Sequence, residues 1–131
     1  MDPKTDAANR RTYYRVEYPT NDRPRFTAGE LRGEVEDCSE TGVRVYLPHG
    51  IPADSGVQVG DRMAATIRFN RGEMADVEGV VVRFSGQALA LRLDTARIPF
   101  GKILREQWWL RQRYPFRDPS GLKEAGSGPS T

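Results

Sequence analysis

Residues 77–93 read VEGVVVRFSGQALALRL, and the fold is decided there. The first half, Val77–Phe84, is β-branched and almost continuously apolar, the composition of a strand covered on both sides. Ser85 and Gly86 are a turn signal. Beyond them Leu89, Leu91 and Leu93 alternate with Ala88, Ala90 and Arg92, a period of two with one apolar and one polar face. The same period runs upstream. Leu31, Gly33, Val35 and Asp37 alternate with Arg32, Glu34 and Glu36. Val43, Val45 and Leu47 alternate with Arg44 and Tyr46, and Met63, Ala65, Ile67 and Phe69 with Arg62, Ala64, Thr66 and Arg68. Turn signals at Pro48–Gly50, Asp54–Gly56, Gly60–Asp61 and Asn70–Gly72 separate these runs. With Val16–Tyr18 as a first strand, the pattern predicts an all-β chain of five or six short antiparallel strands in a closed or partly closed barrel.

Downstream the period changes. Between Pro99 and Pro115, the segment FGKILREQWWLRQR (100–113) places Phe100, Ile103, Leu104, Trp108 and Arg111 on one helical stripe. Proline suits the start and the stop of such a helix. A short amphipathic helix is marginal alone in water, so it is expected to pack on the barrel through its tryptophans. The alternative use of Trp109 or Tyr114 is in a partner surface. Residues 1–9 read as a flexible polar arm, 10–117 as the folded domain with a helix at about 99–113, and the Pro/Gly/Ser-rich 118–131 as a disordered tail.

Composition removes several function classes. The net charge of +2 and pI of 8.9 are too modest for bulk binding to duplex nucleic acid. Cys38 and His49 are the single cysteine and single histidine, too few for a common structural zinc site or a disulfide. The start MDPKTDAANRR has no apolar core for a signal peptide, and no run approaches the roughly 20 apolar residues of a membrane span. A cytoplasmic, non-enzymatic protein without a cofactor is expected. His49 sits in a Pro-His-Gly turn with no evident acidic partner, and Cys38 reads as a small buried strand residue.

Charge is concentrated instead. Arg10, Arg11, Arg15, Arg23 and Arg25 lie in one short stretch against Glu17 and Asp22. Two elements stand out: Arg10-Arg11-Thr-Tyr-Tyr-Arg15, ahead of the first strand, and Asp37-Cys-Ser39-Glu-Thr-Gly42, between two alternating strands. An arginine fork matches phosphate oxygens and the O6/N7 edge of guanine, and its flat face stacks on a purine. A carboxylate at Asp37 can accept both N1–H and the 2-amino group of guanine, a donor pair adenine lacks. The Ser39 hydroxyl bonds phosphate or base. Gly42 permits a positive φ or a close backbone approach. Each element alone is an ordinary basic arm or strand-connecting turn; together they supply complementary halves of a guanine-nucleotide site. A rival is a small barrel for single-stranded nucleic acid, using Tyr13, Tyr14 and Tyr46 as stacking platforms.

In this order, Arg11-xxx-Arg15 followed by Asp37-x-Ser39-xx-Gly42 resembles the paired signature of the PilZ domain family, over about residues 9–114, and Gly79-Val-Val-Val-Arg83 resembles the family's later strand. Two features depart from the usual pattern: Thr41-Gly42 replaces a Gly-Gly pair, and Gln87-Ala88-Leu89-Ala90 a glycine-rich turn. The resemblance implies a six-stranded antiparallel Greek-key-type β-barrel with a C-terminal α-helix, and reversible binding of cyclic di-GMP. It implies that Arg10, Arg11 and Arg15 hold phosphate and stack on guanine, that Asp37 and Ser39 read the base, that Gly42 shapes the turn and that Arg44 adds a contact. The arm, without fixed partners for its arginines in the absence of ligand, would then order over the barrel. The ordered arm would signal to a downstream protein in flagellar, exopolysaccharide or pilus machinery, from a monomer or homodimer. Family members that bind only proteins usually lack these arginines.

Overall fold

The computed structural model describes residues 15–52 and 54–115. The expected arm and tail, Arg10, Arg11, Tyr13 and Tyr14 lie outside them. The strands are β1 (Val16–Glu17), β2 (Arg25–Ala28), β3 (Leu31–Cys38), β4 (Gly42–Tyr46), β5 (Arg62–Arg68), β6 (Met74–Ser85) and β7 (Ala88–Ala96), followed by α1 (Phe100–Arg113). The ring β3-β2-β5-β6-β7-β4 closes through β3–β4 pairing, with every neighbour antiparallel. This is a closed six-stranded barrel with one C-terminal helix.

Alternation works as expected in most strands. Val35, Val43, Val45, Ile67, Leu89 and Leu91 point inward and are buried. Burying such a side chain stabilises by about 1.5–3 kcal/mol, enough in sum to offset much of the ordering cost. The hairpin read from residues 77–93 is present, with Gly86 at φ 61 in its turn. An inward β-carbon at Gly33 would come within 2.4 Å of Val45 Cγ1, so this wall is fully packed.

Three features depart from periodicity. First, the sixth ring strand is β2, whose four residues bury only Phe26 fully and leave no countable alternation. The segment at Val16 contributes the two-residue β1 outside the ring. β1 and β2 occupy successive stretches of one edge of β3, bridged by Tyr18 N–H to Glu36 O (3.0 Å) and Val35 N–H to Pro24 O (2.8 Å). Second, β6 is covered on one side only. Val81 is buried but Val82 is exposed, because valine favours a strand on either face and α1 packs at β1 instead. Third, α1 has the predicted limits but is rotated. It buries Ile103, Glu106 and Leu110, half-buries Trp109, and leaves Leu104 and Trp108 exposed. A polar contact lies on this buried face: the buried Tyr18 hydroxyl donates to Glu106 Oε1 at 2.7 Å. Arg113 Nε at 2.9 Å and the Tyr114 hydroxyl both donate to Asp22 Oδ2 at the helix end. No described helix is long and apolar enough to cross a membrane.

Candidate functional site

The site begins with an irregularity in β3. Leu31, Gly33 and Val35 face the interior, and strict alternation would send Asp37 there too. A bulge between Val35 and Asp37 leaves Glu36 as an extra residue, so that Val35 faces Val45 while Asp37 faces Arg44. Cys38, opposite Val43, takes the inward position. Side chains opposite one another across a strand pair share a face. The bulge thus turns the Asp37 carboxylate onto the outer wall beside Arg44, the kind of re-aiming bulges perform.

The pairing of β1 with β3 brings in the first motif. Val16 lies opposite Cys38 and Glu17 opposite Asp37. Arg15 therefore emerges next to Ser39, across a sequence gap that motif spacing alone does not close. Its Nη1 donates to Asp37 Oδ1, and Arg44 Nη1 lies 3.2 Å from Asp37 Oδ2. Arg44 Nη2 also reaches Glu36 Oε1 at 3.9 Å. Asp37 is nearly buried between two half-exposed guanidinium groups, a compact triad held by charge-assisted bonds.

The turn from β3 to β4 supplies the remaining shape. Ser39 N–H donates to Gly42 O at 2.8 Å, and Ser39 Oγ accepts from Thr41 N–H at 3.3 Å. The Ser39 hydroxyl proton remains available to a ligand acceptor. Gly42 does not adopt a positive φ; its value is close approach, since an added β-carbon would sit 3.2 Å from Arg15 Nη2. Arg15, Ser39, Gly42 and Arg44 line a groove of about 370 Å³ with Val82, Ala90 and Arg92, and the Asp37 carboxylate lies behind the two guanidinium groups at its edge. Ala90 lies opposite Arg44, and Arg92 opposite Gly42, on β7. The floor is small and apolar, and arginines at 15, 44 and 92 rim it. Such a surface admits a flat ring with anionic oxygens at its edges.

Of the expected site residues, the fold brings together Arg15, Asp37, Ser39, Gly42 and Arg44. The expectation that arm arginines lack a partner without ligand fails for Arg15, which Asp37 holds. Arg92 and Val82 were not singled out from the sequence: Arg92 is the outward member of an alternating strand and Val82 the extra residue where the β6–β7 register shifts between Val81 and Arg83, and only barrel closure reveals which wall each joins. Of the aromatic residues named for the rival reading, the half-buried Tyr46 is the one among the described residues: Arg23 lies 5.6 Å from its ring centroid and Gln87 Nε2 donates to its hydroxyl at 3.4 Å. Burial pushes the Cys38 thiol up to about 12, as fits a packing residue. Among the described residues no cluster suits a metal ion. A larger depression of about 620 Å³ lies over β2 and β5, on the opposite wall, and contains neither motif.

The PilZ domain family model matches residues 9–106. The PilZ domain with c-di-GMP of YcgR from Escherichia coli superposes with a TM-score of 0.63 at 20% identity, covering 81% of this chain and 98% of that one. The Bacillus subtilis inhibitor of motility, MotI/DgrA, superposes with a TM-score of 0.56 at 21% identity over 82% of this chain. The match spans about half, 53%, of that protein's length. At these identities the likeness is one of fold. No curated protein matches the chain.

Proposed function

The chain belongs to the PilZ domain family, and from that premise we propose that it binds cyclic di-GMP in the Arg15–Asp37 groove and acts as an adaptor toward a downstream protein. One observation carries this reading: the β1–β3 register that seats the last arginine of the first motif on the carboxylate of the second and over Gly42. Arg15 and Arg44 take phosphate oxygens and stack on a guanine, with Arg92 on the far rim. Asp37 keeps a second lone pair on each oxygen for guanine N1–H and the 2-amino group. Ser39 donates to a phosphate or base oxygen. Arg10 and Arg11 close over the ligand from the preceding segment, and that ordering is offset by charge-assisted hydrogen bonds of about 1.5–3 kcal/mol each.

The role is one of binding rather than catalysis, in the cytoplasm. The fold likeness to a Bacillus subtilis inhibitor of motility favours a partner in the motility apparatus. Isothermal titration tests the site. Wild type binds cyclic di-GMP, while Arg11→Ala and Arg15→Ala each bind at least about tenfold more weakly. Cyclic di-AMP gives little heat, because it lacks the donor pair Asp37 reads. Single-stranded RNA does not compete. Equal affinity in wild type and both variants ends the assignment.

A further inference from the structure

α1 carries a stripe that the barrel does not cover. Leu104 is 43% exposed and Trp108 61% exposed, four residues apart on one face. Arg111 continues the stripe by one turn, and a shallow cavity of about 380 Å³ runs between these side chains and Arg105. An exposed tryptophan beside an arginine is the composition of an interface anchor, since these residues carry most binding energy where they occur.

The charges around it select the occupant. Lys102 and Arg105 share Glu73, at 3.0 and 3.3 Å. Arg113 is bound to Asp22. Arg111 is exposed and makes no ion pair among the described residues. The helix's one carboxylate, Glu106, is buried against Tyr18. A second copy of this face would set Arg111 against Arg111, and Glu73, the carboxylate beside Arg105, is already shared by two cations, because a two-fold interface pairs a patch with itself. A segment with an apolar side chain for Trp108 and carboxylates for Arg111 meets both requirements.

The stripe is also connected to the groove. Tyr18 lies three residues beyond Arg15 and bonds Glu106, which α1 carries on the face turned away from Trp108.

We infer that the Leu104–Trp108–Arg111 stripe of α1 docks an acidic segment of the downstream protein through an apolar anchor flanked by carboxylates. This rests on the adaptor reading above. The probe is a fluorescein-labelled amphipathic peptide with leucine on one face and glutamate on the other, followed by anisotropy on the full chain. The glutamate peptide binds, and the same peptide with lysine does not. Trp108→Ala weakens binding at least about tenfold, and Arg111→Glu at least about fivefold. Equal binding of both peptides, or wild-type affinity in Trp108→Ala, overturns the proposal. Self-association abolished by Trp108→Ala also overturns it, in favour of a second copy. So does a gain of about tenfold on deleting residues 117–131, in favour of the chain's own end. Both point variants keep wild-type melting temperature and cyclic di-GMP affinity, since neither touches the groove. If no form binds cyclic di-GMP while the peptide results hold, the ligand assignment fails and the docking surface stands.

Discussion

Replacing Gly42 with alanine separates a binding role from a folding role at one atom's cost. The new methyl carbon would lie 3.2 Å from Arg15 Nη2, 3.7 Å from the Leu91 carbonyl oxygen and 3.8 Å from Ser39 Oγ. The last two are ordinary contacts. The first is short of the ~3.5–4.0 Å optimum, so the guanidinium must retreat by about 0.5 Å. That group is the end of a flexible, half-exposed side chain, and it can move without disturbing the barrel. Glycine-to-alanine in a strand contributes about 0.5–1 kcal/mol of stability through the unfolded chain, roughly cancelling the crowding. The melting temperature should therefore stay within about 5 °C of wild type. The groove fares worse, because the methyl occupies its floor and moves Arg15 off its seat. Loss of one charge-assisted bond of about 1.5–3 kcal/mol predicts roughly a ten- to hundredfold weaker cyclic di-GMP affinity. Calorimetric titration and a thermal melt on the same preparation decide the matter. Wild-type affinity in the variant, or a melting temperature lowered by more than about 10 °C, would refute the close-approach role given to Gly42.

Gly79→Ala should behave oppositely: its β-carbon would meet the Arg92 backbone oxygen at 2.0 Å, so a loss of about 3 kcal/mol or more is expected in denaturant melts. Tyr18→Phe removes the donor to a buried carboxyl and should cost about 1–3 kcal/mol in the same assay. Burial raises the Glu106 carboxyl above its ordinary 4.5. The folded state then holds this proton more tightly than the unfolded chain, so the contribution is full below 4.5 and is lost as pH rises through the folded value. Relative to Glu106→Gln, the wild type should lose stability on that rise and then level off, as urea melts across about pH 4 to 8 will show; a flat difference would count against the burial argument. Cys38, with its thiol near 12 and no exposed surface, should resist thiol reagents in the native state and react only on unfolding.

Much of the barrel was legible because a strand with one face inside writes a period of two into the chain. Leu89, Leu91 and Leu93 are the clearest case, and the turn between β6 and β7 falls where Ser85–Gly86 marks it. Arg25–Ala28 escaped notice for the same reason, since a strand with one fully buried side chain has no period to show. Trp108 misled for a related one. An amphipathic stripe placed tryptophan inward, but the buried face of α1 is Ile103, Glu106 and Leu110 with Glu106 bonded to Tyr18, and no stripe of apolar residues encodes that partnership.

Residue chemistry alone determined that arginine forks, a carboxylate and a hydroxyl occur in two short motifs on an antiparallel β scaffold. Which of them meet was decided by the closed barrel. Alternation carries Asp37 to the inner face, and one extra residue at Glu36 reverses that. Spacing leaves Arg15 remote from Ser39, and two paired residues of β1 remove the distance. Arg92 and Val82 join the groove through β4–β7 and β6–β7 pairing. Periodicity is a local property of a chain and records only which side of its own strand a residue occupies. A bulge, or a pairing between distant segments, is settled by hydrogen bonds to another strand, and those exist only after the ring has closed.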